Sequence, residues 1–270
     1  MIPLIQSTAI YKLGLLPSVM EFLDCNVRYG IPAQRTPLRP VPTVEDLRKE
    51  MERAGVSGAV VRREEVYWEG VNFGNELVAR DIAPYKELFG LWAVLPVHTH
   101  EVPPPDEMLR KMKGRRIVGW LLWPELHRYE FGEFALGEWF RAAEEHRVPI
   151  FSGQGSGVSL GRLADVLERH PKLRVVWLGQ GVWPDDRLIR PMLREFKGFY
   201  LDLSRYMADG GLEELVEECG PERLLYGSGF YDMYFGGGML MLRRSEISED
   251  AKRLIAGGNL KRLIREVEYD

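Results

Sequence analysis

Ser159-Leu-Gly-Arg-Leu-Ala-Asp-Val-Leu-Glu-Arg-His-Pro-Lys-Leu-Arg-Val-Val-Trp-Leu178 contains one complete helix-to-strand unit. Ser159 offers an N-cap oxygen, and Leu160, Leu163, Val166 and Leu167 recur at three and four residues, so they share one helix face. The helix runs to His170 and Pro171 stops it. The stretch 173–178 is then a short, largely apolar run rich in β-branched and aromatic residues, the pattern of a strand covered on both faces.

The same alternation extends in both directions. Candidate strands fall at 20–25, 56–62, 91–97, 117–123, 148–152, 173–178, 199–203 and 223–226. Thr43 caps a predicted helix over 44–54, with Val44, Leu47, Met51 and Ala54 on one face and Gly55 as its stop. Another is predicted after Pro184; it opens with Asp185 and Asp186, where the helix dipole favours negative charge, and buries Leu188, Ile189, Met192 and Leu193. Eight strands alternating with helices over about 250 residues is the arithmetic of an α/β fold of the (β/α)8 TIM-barrel type, with an open doubly wound sheet as the other arrangement. No composition break marks a linker, so one domain is expected over 1–270, with 1–19 as an N-terminal extension. The Pro-rich stretch 31–42 and the segment 229–247, whose first part (229–242) is rich in Gly and Met, are expected as long loops at the carboxyl ends of the strands.

With 270 residues, 45% of them hydrophobic, the chain can bury a large core. A net charge of -4 without a basic cluster excludes the footprint of a nucleic-acid or anionic-membrane partner. No run approaches the roughly 18 apolar residues of a membrane span. Two cysteines, Cys25 and Cys219, are too few for a disulfide framework, so with no export signal visible a reducing, cytoplasmic setting is expected.

Six segments together carry a resemblance: Phe22-Leu-Asp-Cys-Asn-Val-Arg28, Val148-Pro-Ile-Phe-Ser-Gly153, Leu173-Arg-Val-Val-Trp-Leu-Gly-Gln-Gly181, Tyr200-Leu-Asp-Leu-Ser204, Pro221-Glu-Arg-Leu-Leu-Tyr-Gly-Ser228 and Gly257-Gly-Asn-Leu-Lys-Arg-Leu263. In this order the chain resembles the amidohydrolase-related, metal-dependent TIM-barrel hydrolases from about residue 21 to 266. The resemblance implies the barrel. It also implies hydrolysis, decarboxylation or hydration of small molecules with a divalent metal at the barrel mouth, held by a His-x-His pair on the first strand, a His on the fifth and often the sixth, and an Asp on the eighth. Carried over, the pair falls on Asn26 and Arg28, the two later histidines on Gly153 and Gly179, and the aspartate on Gly229. Asn26 is a weak neutral ligand and Arg28 repels a cation, so no metal is expected at the inherited place.

Two enzymatic alternatives stay open. His98 and His100, a His-x-His pair after the third strand, together with Glu125 and His127 after the fourth, form a candidate relocated site for one divalent metal such as zinc. Asp202, at the end of the seventh strand, is a candidate metal-free base or else a partner for Arg28 or Arg205. The loop Gly153-Gln-Gly-Ser-Gly157 opens a helix as anion-binding loops do, but lacks the Lys of a P-loop. Trp183, Tyr206, Phe230, Tyr231 and Tyr234 are candidates to wall a pocket or to bury a contact between subunits.

The leading expectation is a barrel that has kept the frame and lost the metal chemistry. It is read as a pseudoenzyme or metal-independent binder of a small acidic molecule, with a pocket formed by Asn26, Arg28, Gly153, Gln154, Gly179, Gln180, Asp202, Arg205, Gly229 and Tyr231. The alternatives are an active small-molecule hydrolase or lyase, and a structural subunit of a homo-oligomer that charged substitutions at Met239 and Met241 would break.

Overall fold

The computed structural model describes residues 20–33, 40–183 and 185–270. Eight parallel strands follow one another in sequence order: β1 (Leu23–Tyr29), β2 (Gly58–Arg63), β3 (Leu88–Ala93), β4 (Ile117–Leu121), β5 (Ile150–Gly153), β6 (Val175–Leu178), β7 (Phe199–Asp202) and β8 (Leu224–Leu225). The residues at and after β8 close the ring onto β1. Cys25 N donates to Tyr226 O at 3.0 Å and Arg28 N to Phe230 O at 2.8 Å, and Val27 and Phe230 form a parallel bridge. Helices alternate with the strands, as in a (β/α)8 TIM barrel. All strand residues but Arg28 and Phe89 are buried, which is why the strands read as continuous apolar runs rather than as alternation. Among the described residues no helix is long and apolar enough to cross a membrane.

The helix ends follow their local chemistry. Thr43 accepts from Asp46 N at the start of Val44–Ala54, and Gly55 closes that helix at φ 77°, a conformation costly for a residue with a Cβ. Ser159 accepts from Arg162 N at the start of Leu160–Arg169. The helix expected after Pro184, which itself lies outside the described residues, spans Asp186–Glu195 and buries Ile189, Met192 and Leu193. Leu188 is 54% exposed, a correction to the expected core face.

Three differences in register shape the mouth of the barrel. β1 begins three residues later than the apolar run suggests, so Asn26 and Arg28 lie within the strand and not beyond it. β3 ends at Ala93. Val94 still donates to Leu121 O, but Pro96 has no N–H with which to extend the ladder, so His98 and His100 fall on a short 3-10 turn and the left-handed residue after it. The segment expected as a long loop after β8 contains the helix Gly236–Arg244, because Met239 and Leu242, three apart, share a buried face. Met239 belongs to the core and Leu240 points outward, so a charge at Met239 would test folding and not subunit contact. The expected loop 31–42 lies partly outside the described residues, as does the extension 1–19.

Candidate functional site

A line of hydrogen bonds crosses the barrel mouth at the level of β1. Asn26 Nδ2 donates to Asp202 Oδ2 at 2.6 Å, while Asn26 Oδ1 accepts from Arg62 Nη2 at 2.9 Å. Asp202 Oδ2 also accepts from Ser204 Oγ at 2.7 Å and Gly179 N at 2.9 Å, and Oδ1 accepts from Ser204 N at 2.8 Å. The carboxylate is therefore paired with neither Arg28 nor Arg205, contrary to the simplest sequence expectation: a fully buried acid is satisfied by neutral donors from the ends of β6 and β7 and, across β8, from β1. Burial pushes its pKa up, against the hydrogen bonds from Ser204, Gly179 and Asn26. Asp202 lies under the floor that Asn26, Ser204 and Gly179 present to the cavity above, and its hydrogen bonds tie these three residues together.

The cavity above has a volume of about 330 Å³. Three guanidinium groups, of Arg28, Arg62 and Arg205, line it together with two carboxylates, of Glu64 and Asp232, and Tyr67, Trp68 and Trp123 supply aromatic wall. Arg28 pairs with Glu64 at 3.1 Å and with Asp232, and its guanidinium lies 5.0 Å from the Tyr231 ring centroid. Arg62 differs from Arg28. It is only 4% exposed, and its side-chain partners are neutral: Asn26 and, through Nε at 3.0 Å, the Tyr67 hydroxyl. Its Nη1 is buried without a partner, and among the described residues no carboxylate pairs with it.

Of the residues singled out in the sequence, the mouth gathers Asn26, Arg28, Gln154, Gly179, Arg205 and Gly229. Tyr231 packs behind Arg28. Gln180 instead turns to Trp177 Nε1 and Asp185, and Gly153 sits too tightly against β6 to carry a side chain. Among the aromatics, Tyr206 and Phe230 are core, whereas Trp183 and Tyr234 are exposed. Sequence reasoning missed Arg62, Glu64, Tyr67, Trp68, Trp123 and Asp232. The signal for the first two was present: Arg62-Arg-Glu-Glu65 places four charges where an apolar strand runs out. In the glycine loop the amides of Gln154, Ser156 and Val158 already donate to Leu178 O, Gly153 O and Ser156 Oγ, so they are not held ready for an anion.

The residues at the inherited ligand positions do not fit a divalent metal. Asn26 has both amide atoms committed, Arg28 is a cation, and Gly153, Gly179 and Gly229 bring no donor side chain. A Cβ built on Gly153 would stand 2.1 Å from Leu178 O, so histidine cannot simply be put back. Gly153→His is expected to lose about 3 kcal/mol of stability by overpacking against backbone, measured by urea unfolding with and without zinc; zinc-dependent recovery of stability would contradict this. Elsewhere, among the described residues, no three His, Cys, Asp or Glu side chains converge as a metal requires. His98, His100 and Glu125 are exposed. His127 has Nε2 3.0 Å from Val66 O, which makes Nε2 the protonated nitrogen, and burial lowers its pKa.

The sequence profile of the amidohydrolase family matches residues 23–265. The chain belongs to the amidohydrolase family. A search of curated proteins finds no significant match. Among solved structures, the amidohydrolase fold seen here is similar to 2,6-dihydroxybenzoate decarboxylase from Rhizobium (15% identity, TM-score 0.68, covering 91% of this chain and 99% of that one). It is also similar to a dihydroxybenzoic acid decarboxylase from a Polaromonas species with bound manganese and the inhibitor 2-nitroresorcinol (15%, TM-score 0.69, 91% and 97%). A third is 5-carboxyvanillate decarboxylase from Sphingomonas paucimobilis (14%, TM-score 0.66, 91% and 99%). At such identities these likenesses establish the shared fold.

Proposed function

We propose that this amidohydrolase-family barrel binds a small acidic molecule at its mouth without a metal ion, in place of metal-dependent hydrolysis. The observation that carries the reading is Arg62, a buried cation on the cavity wall whose direct partners are all neutral. A buried charge is costly unless something of opposite sign approaches it, and an acidic ligand supplies that counter-charge. Tyr67, Trp68 and Trp123 give a planar ligand apolar surface to lie against. The fold's neighbours are consistent with an acid as ligand, since one of them was solved with 2,6-dihydroxybenzoate.

The test is a titration of metal-stripped protein with benzoate and isophthalate, followed by tryptophan fluorescence, because Trp68 and Trp123 border the cavity. Saturable binding unaffected by EDTA is expected. Arg62→Gln, with its fold verified by thermal unfolding, should weaken binding about 10- to 100-fold, the range of a charged hydrogen bond. Binding that appears only with added metal, or that Arg62→Gln leaves unchanged, would overturn the reading.

A further inference from the structure

Asp232 pairs with Arg28, a second cation of the cavity lining beside Arg62. The chain leaves β8 and passes through Gly229 at φ 70°, a left-handed conformation that a side chain at that position would strain. It is then stitched to β1 by the Val27–Phe230 bridge and by Arg28 N donating to Phe230 O. Two residues later Asp232 lies across the mouth and pairs with Arg28. Closure of the barrel thus brings the backbone of this segment to the mouth beside Arg28.

The two acids on Arg28 are unequal. Glu64 is buried, with a side chain 4% exposed, and is part of the wall; Asp232 is 44% exposed and belongs to the loop. The Arg28–Glu64 pair is the buried one, whereas the more exposed Asp232 is the partner that an incoming anion can replace at lower desolvation cost.

We infer that Asp232 is an internal competitor that sets the affinity and selectivity of the mouth: an acidic ligand binds by displacing it from Arg28, so the site discriminates against weak, singly charged acids. This inference rests on the proposed acid-binding function. It does not require Asp232 to take part in any bond-making step.

Asp232→Asn removes the competing charge while keeping the size of the side chain. Titrations of wild type, Asp232→Asn and Arg28→Gln with benzoate and with isophthalate, at matched ionic strength, test the inference. Asp232→Asn is expected to bind benzoate about three- to tenfold more tightly than wild type and isophthalate with a smaller gain, because a dianion competes better in the first place. Arg28→Gln should abolish the difference between the two acids. Equal affinity of wild type and Asp232→Asn for benzoate, with binding still weakened in Arg62→Gln, overturns the competitor role and leaves acid binding intact. Absence of binding in all variants overturns both.

Discussion

Asp202→Ala is expected to lower the free energy of unfolding by about 3–5 kcal/mol, because each buried donor left without an acceptor costs about 1–3 kcal/mol. The substitution strips an acceptor from Asn26 Nδ2, Ser204 Oγ, Ser204 N and Gly179 N at once, groups that link β1, β6 and β7 at the mouth, and leaves Asn26 Nδ2 only its longer 3.4 Å bond to Ser204 Oγ. Water reaching the space from the cavity above and the remaining Asn26–Ser204 bond offset part of the loss, which is why the expected figure is below the sum for four lost acceptors. Affinity for acids should fall in the same variant, since Asn26, freed from Asp202, no longer presents Oδ1 to Arg62. Urea unfolding and a benzoate titration measure the two effects. Wild-type stability in Asp202→Ala would show that the carboxylate does not hold the floor. A variant that is destabilised but retains benzoate affinity would separate the floor from the binding role of Arg62.

The barrel is legible in the sequence for a physical reason. A strand buried on both faces needs an uninterrupted apolar run, and helices packed outside it need apolar residues at three and four, so the two periods punctuate the chain eight times. The ends of the strands are less legible, since hydrogen bonding continues past the apolar residues when a polar side chain finds an internal partner. Asn26, Arg62 and Asp202 are all strand residues that are polar and buried, satisfied by one another across neighbouring and distant positions of the ring. Such partners are 36 and 176 residues apart, and no local pattern announces them. The absence of the metal ligands could be read position by position from the resemblance. What replaced them could not, because the new charges stand elsewhere: on the β2 end at Arg62 and Glu64, and three residues beyond Gly229 at Asp232. Likewise the aromatic wall comes from the segment after β2 and from Trp123, while the conspicuous aromatics after β8 mostly serve the core or the surface.

Asp24 is expected to make stability fall as pH rises towards neutrality. It is fully buried in β1, its Oδ1 accepts from Asn26 N at 2.9 Å and Ser228 N at 3.0 Å, and its Oδ2 has no partner. Burial pushes its pKa up from 3.8 to about 7, against the hydrogen bonds from Ser228 and Asn26 and with a small further push from Asp202. Below pH 4 the group is protonated in both the folded and unfolded chain and contributes no slope. Between about pH 4 and 7 the unfolded chain releases the proton that the folded chain retains, so stability falls as pH rises, and the loss levels off above about pH 7. A carboxyl moved from 3.8 to about 7 corresponds to a loss of about 4 kcal/mol across that window. Surface acids with lowered values, Glu76 through Arg115 and Asp46 through Thr43 and Lys49, act in the opposite direction at lower pH, so the wild-type profile alone mixes both trends. Asp24→Asn isolates the buried group. An amide oxygen can still accept from both backbone donors, and nothing at that position ionises. The stability difference between Asp24→Asn and wild type, from urea unfolding at intervals from pH 4 to pH 8, should move in favour of the variant by about 4 kcal/mol and become flat above about pH 7. A difference that stays constant over this range would mean that Asp24 keeps an ordinary carboxyl pKa despite its burial.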